Sequence, residues 1–391
     1  MPDSNREVSI VIPAYNAAAT LAETLASVRA QTYPWWEAVI VDDGSTDETA
    51  EIAAQWITED SRFRLLRPRN GGHSAARNAG IGTSRNEWLV CLDCDDWLAP
   101  EYLERMMGRA TAKPEVDAVV CGCVCVAPSG KHGPAAVYEP ASLADAFPAF
   151  ARDCPIAIHN CMVRRSLVEK VGGFDPRLVV CEDWDLWQRI ARAGARFGTI
   201  PEVLAFYRMR PGSVSRKAER ALIDGWTVLR RGHGRDPRVP DPDRRYADGL
   251  PAGGLPEALY RQAVWAACLM LAQGEDPRSL LRLMGEQRAP ALAPARTAAW
   301  LYEYVPDAAS LEKEAWPELW AHLADRIIGY LEGLEAQSGA AGLARHCVLE
   351  LQRLIAHGGS DASAPTMKAR LGRLGARVCG KLQRFTGRRR P

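Results

Sequence analysis

Two rhythms of apolar and polar positions alternate through the first hundred residues. Val8–Pro13, Glu37–Val41, Phe63–Arg67 and Glu87–Leu92 are short apolar runs, the first two rich in β-branched residues, and predict buried strands. Between them, Ala17–Gln31 places Leu21, Leu25 and Val28 at helical spacing. Ser45–Trp56 reads as a helix with Ser45 or Thr46 near its cap. Ser74–Thr83 is small and Ala-rich, a helix able to lie close against a neighbour. This order predicts an α/β fold with a Rossmann-like, mostly parallel sheet flanked by helices. Ligands of such sheets bind beyond the carboxyl ends of the strands. Tyr15, Asn16, Asp42, Asp43, Asp93 and Asp95 all fall just past such ends.

The alternation continues less regularly. Val116–Val126 reads as a strand, Ser129–Lys131 as a turn into another, and Leu143–Phe150 as a short helix. Ile156–Val163 reads as a strand entering a helix at Arg165–Val171, Asp183–Ala193 as a helix, and Val203–Tyr207 as the last strand. Helical periodicity then takes over, at Ala221–Arg230, Leu255–Gln273, Pro277–Met284, Pro294–Tyr304, Trp316–Glu335 and Ala341–His357. Gly232 to Pro242 is Gly- and Pro-rich and reads as a loop. The expected organisation is an α/β domain over 1–218, a C-terminal α-helical accessory region over 219–357, and a linker with a basic tail over 358–391.

Composition narrows this picture. The 391 residues contain no run of about 20 apolar residues that could span a membrane. The N-terminus leads directly into a strand, so the expectation is a cytoplasmic protein. Most of the eleven cysteines stand in apolar runs, where free cysteine behaves as a small hydrophobe. Cys91 and Cys94 have CxxC spacing, but no second pair stands at zinc-site distance. A net charge of +1 conceals an uneven distribution: Lys368–Pro391 holds nine basic residues and no acidic one. Leu371, Leu374, Val378, Leu382 and Phe385 form an apolar stripe there. Such a helix suits an anionic membrane surface, which would place the protein peripherally on the inner face of the membrane. A protein interface and a solvated tail are the alternatives. The acidic remainder of the chain argues against nucleic acid.

The chemistry lies in three carboxylate clusters: Asp42-Asp43, Asp93-Cys94-Asp95-Asp96 and Glu182-Asp183. Unpaired carboxylates are too costly to bury, so clusters at strand ends suggest one polar site holding a cation. The chain has neither a G-x-x-x-x-G-K-[ST] loop nor a glycine fingerprint after its first strand, which disfavours P-loop and dehydrogenase functions.

Taken together, Pro13-Ala14-Tyr15-Asn16, Asp42-Asp43-Gly44-Ser45-Thr46-Asp47, Asn70-Gly71-Gly72-His73-Ser74-Ala75-Ala76-Arg77-Asn78-Ala79-Gly80, Asp93-Cys94-Asp95-Asp96, Gly172-Gly173-Phe174-Asp175, Glu182-Asp183 and Tyr207-Arg208 resemble the family 2 inverting nucleotide-sugar glycosyltransferases of GT-A fold, over about 7–216. The resemblance implies a metal-dependent enzyme moving a sugar from a nucleotide-diphosphate donor, UDP foremost, to a glycan or lipid-linked glycan acceptor in surface-polysaccharide synthesis. It implies a nucleotide-sugar site of Pro13, Tyr15, Asn16, Asp43, Ser45, Asn70, Gly72, Arg77, Asp93, Cys94 and Arg208, with Arg77 alternatively anchoring Asp93 through an internal ion pair. Asp95, with Asp93, would hold Mn2+ or Mg2+. Asp183 would be the general base, and Gly173, Glu182 and Trp184 would face the acceptor or sugar, with a structural role as the alternative for Glu182 and packing for Trp184. His159 stands between diphosphate contact and a buried structural role. Asp96 is expected to cap the next helix, and Cys94 to point away from an extended segment. The helical region leaves acceptor recognition and a homo-oligomer both open. A nucleotidyltransferase, or a non-catalytic glycan- or nucleotide-sugar-binding protein, is the competing function.

Overall fold

The computed structural model describes residues 6–210, 217–285 and 293–358. The basic tail lies outside the described residues. The first two strands, β1 (Val8–Ala14) and β2 (Trp36–Asp42), are buried at every position, as a sheet covered on both faces requires. Their polar members satisfy each other: Ser9 lies in register with Glu37, and its hydroxyl donates to Glu37 Oε1 at 2.8 Å. The helices α1 (Leu21–Arg29), α2 (Thr49–Glu59) and α3 (His73–Thr83) alternate with β3 (Phe63–Leu66) and β4 (Trp88–Cys91). Strands β3, β2, β1 and β4 lie side by side, all parallel.

The small residues of α3 allow its close approach to the sheet. A Cβ on Gly80 would stand 2.5 Å from Val11 Cγ1 and 3.0 Å from Val41 Cγ2. The start of α2 differs from expectation. Ser45 does not cap it: the Ser45 backbone N–H donates to Asp42 Oδ1, and the helix begins four residues later.

Beyond β4 the sheet becomes mixed. It continues through β5 (Trp97–Leu98), α4 (Tyr102–Ala112), β6 (Ala118–Val126), β7 (His132–Ala136), α5 (Phe147–Phe150), β8 (Cys161–Arg164), α6 (Arg165–Lys170), α7 (Glu182–Arg192) and β9 (Phe197–Arg208). The strand order is β3-β2-β1-β4-β8-β6-β9-β5, with β7 paired to β6. β8 runs antiparallel to both β4 and β6, whereas β9 is parallel to β6. The mostly parallel arrangement therefore belongs to the N-terminal strands. β9 is also longer than its sequence suggests. Pro201 falls where the β6–β9 register shifts, between Val120↔Thr199 and Gly122↔Val203, so a residue that disfavours a regular strand is absorbed at an irregularity.

The chain divides into two units. Among the described residues, those up to Met209 and Arg235–Gly249 form the α/β unit, and Arg210–Gly234 and those from Leu250 form a helical unit. The helical unit contains α8 (Ala218–Gly232), α9 (Leu255–Ala272), α10 (Ser279–Met284), α11 (Pro294–Ala308), α12 (Trp316–Ser338) and α13 (Leu343–Ala356). Val264, Cys268, Leu301, Val305, Ile327, Tyr330, Cys347 and Leu351 supply its buried core. Trp316 is buried with its indole N–H donating to Tyr302 O at 2.9 Å. The Glu335 carboxylate accepts the Gly342 and Ala344 backbone N–H groups, each at 2.9 Å, and so tethers the start of α13 to α12.

Candidate active site

The carboxyl ends of β1 and β2 form one polar wall. Pro13 is buried opposite Val41, and Tyr15 emerges beyond it with half of its surface exposed. Asn16 adopts a left-handed backbone, φ 49°, which asparagine tolerates better than most side chains. Its side-chain Oδ1 accepts the Thr46 backbone N–H at 2.8 Å, and its own N–H donates to Ser45 Oγ at 3.0 Å. Asn16 and Ser45 therefore interlock the two strand-end loops. Asp43 is buried, and its two oxygens accept the Gly71 and Gly72 backbone N–H groups at 2.9 and 2.8 Å. Asn70 donates through Nδ2 to Asp43 O at 2.5 Å. Each carboxylate oxygen has two acceptor positions, so these contacts orient Asp43 while leaving it capacity for a further donor.

The acidic segment after β4 is a tight turn, not an extended strand: the Asp96 N–H donates to Asp93 O at 3.1 Å. The Cys94 carbonyl accepts from Thr20 Oγ1 at 2.9 Å. Asp93, Cys94 and Asp95 are half-buried, while Asp96 is buried. Asp96 caps no helix. Its Oδ1 accepts the Arg208 backbone N–H at 2.8 Å, and its Oδ2 stands 3.1 Å from His159 Nδ1. Burial raises the Asp96 carboxyl well above the usual range and lowers His159 to about 4, which favours a neutral pair. His159 is wholly buried and so has no direct route to a diphosphate.

Glu182 and Asp183 open α7, directly after Cys181, whose φ of 65° is unusual for a residue with a side chain. Burial would raise Glu182, but His73 and Arg77 outweigh it and hold the carboxyl down to about 2. Burial drives Asp183 the other way, up to about 7, and the Glu182 charge adds to the rise. The Trp184 backbone N–H, 2.7 Å from Asp183 Oδ1, opposes that rise without cancelling it. Arg77 is the connector. Buried within α3, it donates to Asp93 Oδ1 at 2.6 Å and to Glu182 Oε1 at 2.7 Å. One guanidinium thus ties the acidic turn to the first turn of α7, Arg77 itself standing 105 residues before Glu182.

Several sequence assignments change in the folded chain. Arg77 adopts the internal ion-pair role. Trp184 is buried, and its indole N–H donates to Phe150 O at 2.5 Å, so its ring does not stack on an acceptor. Gly173 has φ 68°, and a Cβ there would fall 2.6 Å from Asn78 Oδ1. Its glycine is needed for close approach to Asn78, which brackets Phe174 by accepting its N–H and donating to its carbonyl. Arg208 donates to Asp95 O at 2.7 Å and Glu23 Oε2 at 2.6 Å, with its guanidinium 4.6 Å from the Trp97 ring centroid. In this conformation it fastens the acidic turn. His73, to which the sequence assigned no role, stands 3.2 Å from Glu182 Oε1. Its spacing of four from Arg77 on a helix was the available signal, since both then reach one partner from the same face.

Mn2+ or Mg2+ finds a partial donor set in Asp93 and Asp95. No cluster of three or more His, Cys, Asp or Glu able to hold a metal occurs among the described residues. Two carboxylates on one turn nevertheless match what a hard divalent ion takes from a protein when phosphate oxygens and water complete its shell. The residues fit an ion held jointly with a diphosphate.

Comparison with known proteins bears on the family and the fold. Residues 9–172 match glycosyl transferase family 2. The chain is 39% identical over 114 residues to a putative glycosyltransferase, EpsH of Bacillus subtilis, covering 29% of this chain and 33% of that protein. It is 34% identical over 235 residues to the succinoglycan biosynthesis protein ExoO of Rhizobium meliloti, covering 57% of this chain and 66% of that protein. The matches thus span about a third and about two thirds of these relatives' lengths. In fold it is similar to the crystal structure of S. aureus TarS 1-349 in complex with UDP, with a TM-score of 0.51 at 17% identity over 84% of this chain and 90% of that one. Within its α/β unit, the chain therefore carries a glycosyl transferase family 2 domain over residues 9–172.

Proposed function

We propose that the α/β unit transfers a sugar from a nucleoside-diphosphate sugar, a UDP-sugar foremost, to a hydroxyl of a glycan or lipid-linked glycan acceptor, inverting the anomeric centre. The observation that carries this reading is the Asp93–Arg77–Glu182 bridge, which joins the acidic turn to the segment bearing Asp183. Asp43, held by two backbone donors, accepts the imide N–H of uracil beside Tyr15. Asp183 accepts the proton of the acceptor hydroxyl as its oxygen attacks the anomeric carbon. A new carbon–oxygen bond forms, the bond from the anomeric carbon to the phosphate oxygen breaks, and the nucleoside diphosphate leaves. A divalent ion at Asp95 and Asp93 would supply positive charge against the diphosphate. UDP in the similarly folded TarS and the succinoglycan role of ExoO support the donor and the polysaccharide setting. The basic amphipathic tail would hold the enzyme at an anionic membrane surface.

A panel of UDP-sugars with Mn2+ or Mg2+, read by UDP release in the presence of lipid-linked glycans, identifies the donor. Asp183→Asn should then bind UDP as the parent protein does and lose transfer by roughly a hundredfold or more, the scale of a removed general base. Transfer at the parent rate would remove Asp183 from that role. Asp95→Ala should abolish the dependence of UDP binding on the divalent ion. Parent-like UDP affinity in that variant, still lowered by a chelator, would remove Asp95 as a ligand.

A further inference from the structure

The second ion network of the α/β unit lies further along α7 and uses a segment from well beyond the family motifs. Arg235–Gly249 belongs to the α/β unit although the chain on either side of it belongs to the helical one. Arg238 is its focus. Its Nη1 and Nη2 donate to the two oxygens of Asp185 at 3.0 and 2.9 Å, a two-pronged contact. Nη1 also reaches Asp175 Oδ2 at 3.3 Å, while Nε and Nη2 hold Asp236 at 2.9 and 2.5 Å. Asp185 is fully buried, and its Oδ2 also accepts Arg189 Nε and Nη2 at 2.9 and 2.7 Å. Arg189 in turn donates to Val171 O at 2.5 Å, where the Gly172–Gly173 loop begins.

The segment is attached at further points. The Asp243 N–H donates to Arg192 O at 2.8 Å, near the end of α7, and Arg192 reaches Ala247 O at 3.4 Å. The Tyr246 ring lies 4.7 Å from the Phe147 ring, and its hydroxyl donates to Asp145. Contacts therefore run along α7 from Asp185 to Arg192. Asp185 lies two residues beyond Asp183, in the same helical turn, so a shift of Asp185 carries Asp183 with it. A buried carboxylate that lost one of its cationic partners would have to move or take up a proton.

We propose that Arg235–Gly249 is a strap that sets the position of the catalytic base, with Arg238 as its positioning residue acting through Asp185. This rests on the assignment of Asp183 as base. The strap does not touch the Asp43 or Asp93 segments through Arg238, so its loss should affect the transfer step more than donor recognition. A merely structural segment would lower folding stability and leave the turnover of the folded fraction unchanged.

The test uses the full chain, with the donor identified by the UDP-sugar panel. In Arg238→Met, kcat should fall at least tenfold while the donor KM stays within twofold. Amide exchange measured by mass spectrometry should quicken over 182–188 and stay unchanged over β1. Arg238→Lys keeps a charge without the fork and should recover part of kcat; it carries the same comparison should the Met variant fail to fold. Unchanged kcat, or unchanged exchange over 182–188, in a folded variant overturns the strap. So does a loss confined to melting temperature. Asp183→Asn separates the two claims: if it transfers at the parent rate, the base assignment fails, whereas an inactive Asp183→Asn beside a fully active Arg238→Met defeats the strap alone.

Discussion

Glu182 and Asp183 show how adjacent residues of one chemical type acquire opposite properties. Glu182 faces Arg77 and His73 and is held down to about 2, whereas burial and the Glu182 charge outweigh the Trp184 N–H and Arg77 at Asp183, which rises to about 7. Only the unprotonated Asp183 can accept a proton, so kcat should rise with pH and level off above about 7. Glu182→Gln removes the neighbouring negative charge and releases Arg77, both of which lower the Asp183 value. The acid limb of the pH–rate profile should therefore move to lower pH, and a limb that stays in place would contradict this coupling. Stability carries the opposite sign. A carboxyl raised in the folded state costs stability as pH climbs from its unfolded value, about 3.9, to about 7. Asp183→Asn lacks that loss, so its melting temperature relative to the parent should increase between pH 4 and pH 8. The sequence made both carboxylates visible as candidates. It did not show which would be paired, because Arg77 and His73 reach them from a helix about a hundred residues away.

At the scale of elements, helices were more legible than strands. The apolar spacing in α9, α12 and α13 indicated helices whose observed limits lie within three residues of those expected. A helix makes its backbone hydrogen bonds locally, so its pattern is self-contained. β5 has two residues and pairs antiparallel with β9, and the first half of β9 contains Pro201; neither carries enough local pattern to declare a strand. The α3 helix was expected to lie close to its neighbours, and Gly80 supplies the physical reason. Gly80→Ala would place a methyl group against Val11 and Val41 on the sheet, and overpacking of this kind costs about 1–3 kcal/mol. Its melting temperature should fall accordingly, and parent-like melting would show that α3 can withdraw without loss. The same movement would displace Arg77, so transfer activity should decline in the folded variant as well.

For the whole molecule, the basic tail provides a test that the sequence alone motivates. A chain lacking 367–391 should sediment less with phosphatidylglycerol vesicles than the full chain while transferring sugar equally to a soluble acceptor. Equal sedimentation would remove the membrane role. The alternation of strands and helices, the placement of carboxylates past strand ends and the helical character of the C-terminal half were all determined by local pattern. So was the family, since its motifs are short runs that keep their order. Tertiary structure decided the antiparallel insertion of β8, the bridge from Asp93 through Arg77 to Glu182, the burial of Trp184 and His159, and the return of Arg235–Gly249 to α7. Each depends on which distant groups meet, and the balance of desolvation against charge pairing that fixes their chemistry exists only after the chain has brought them together.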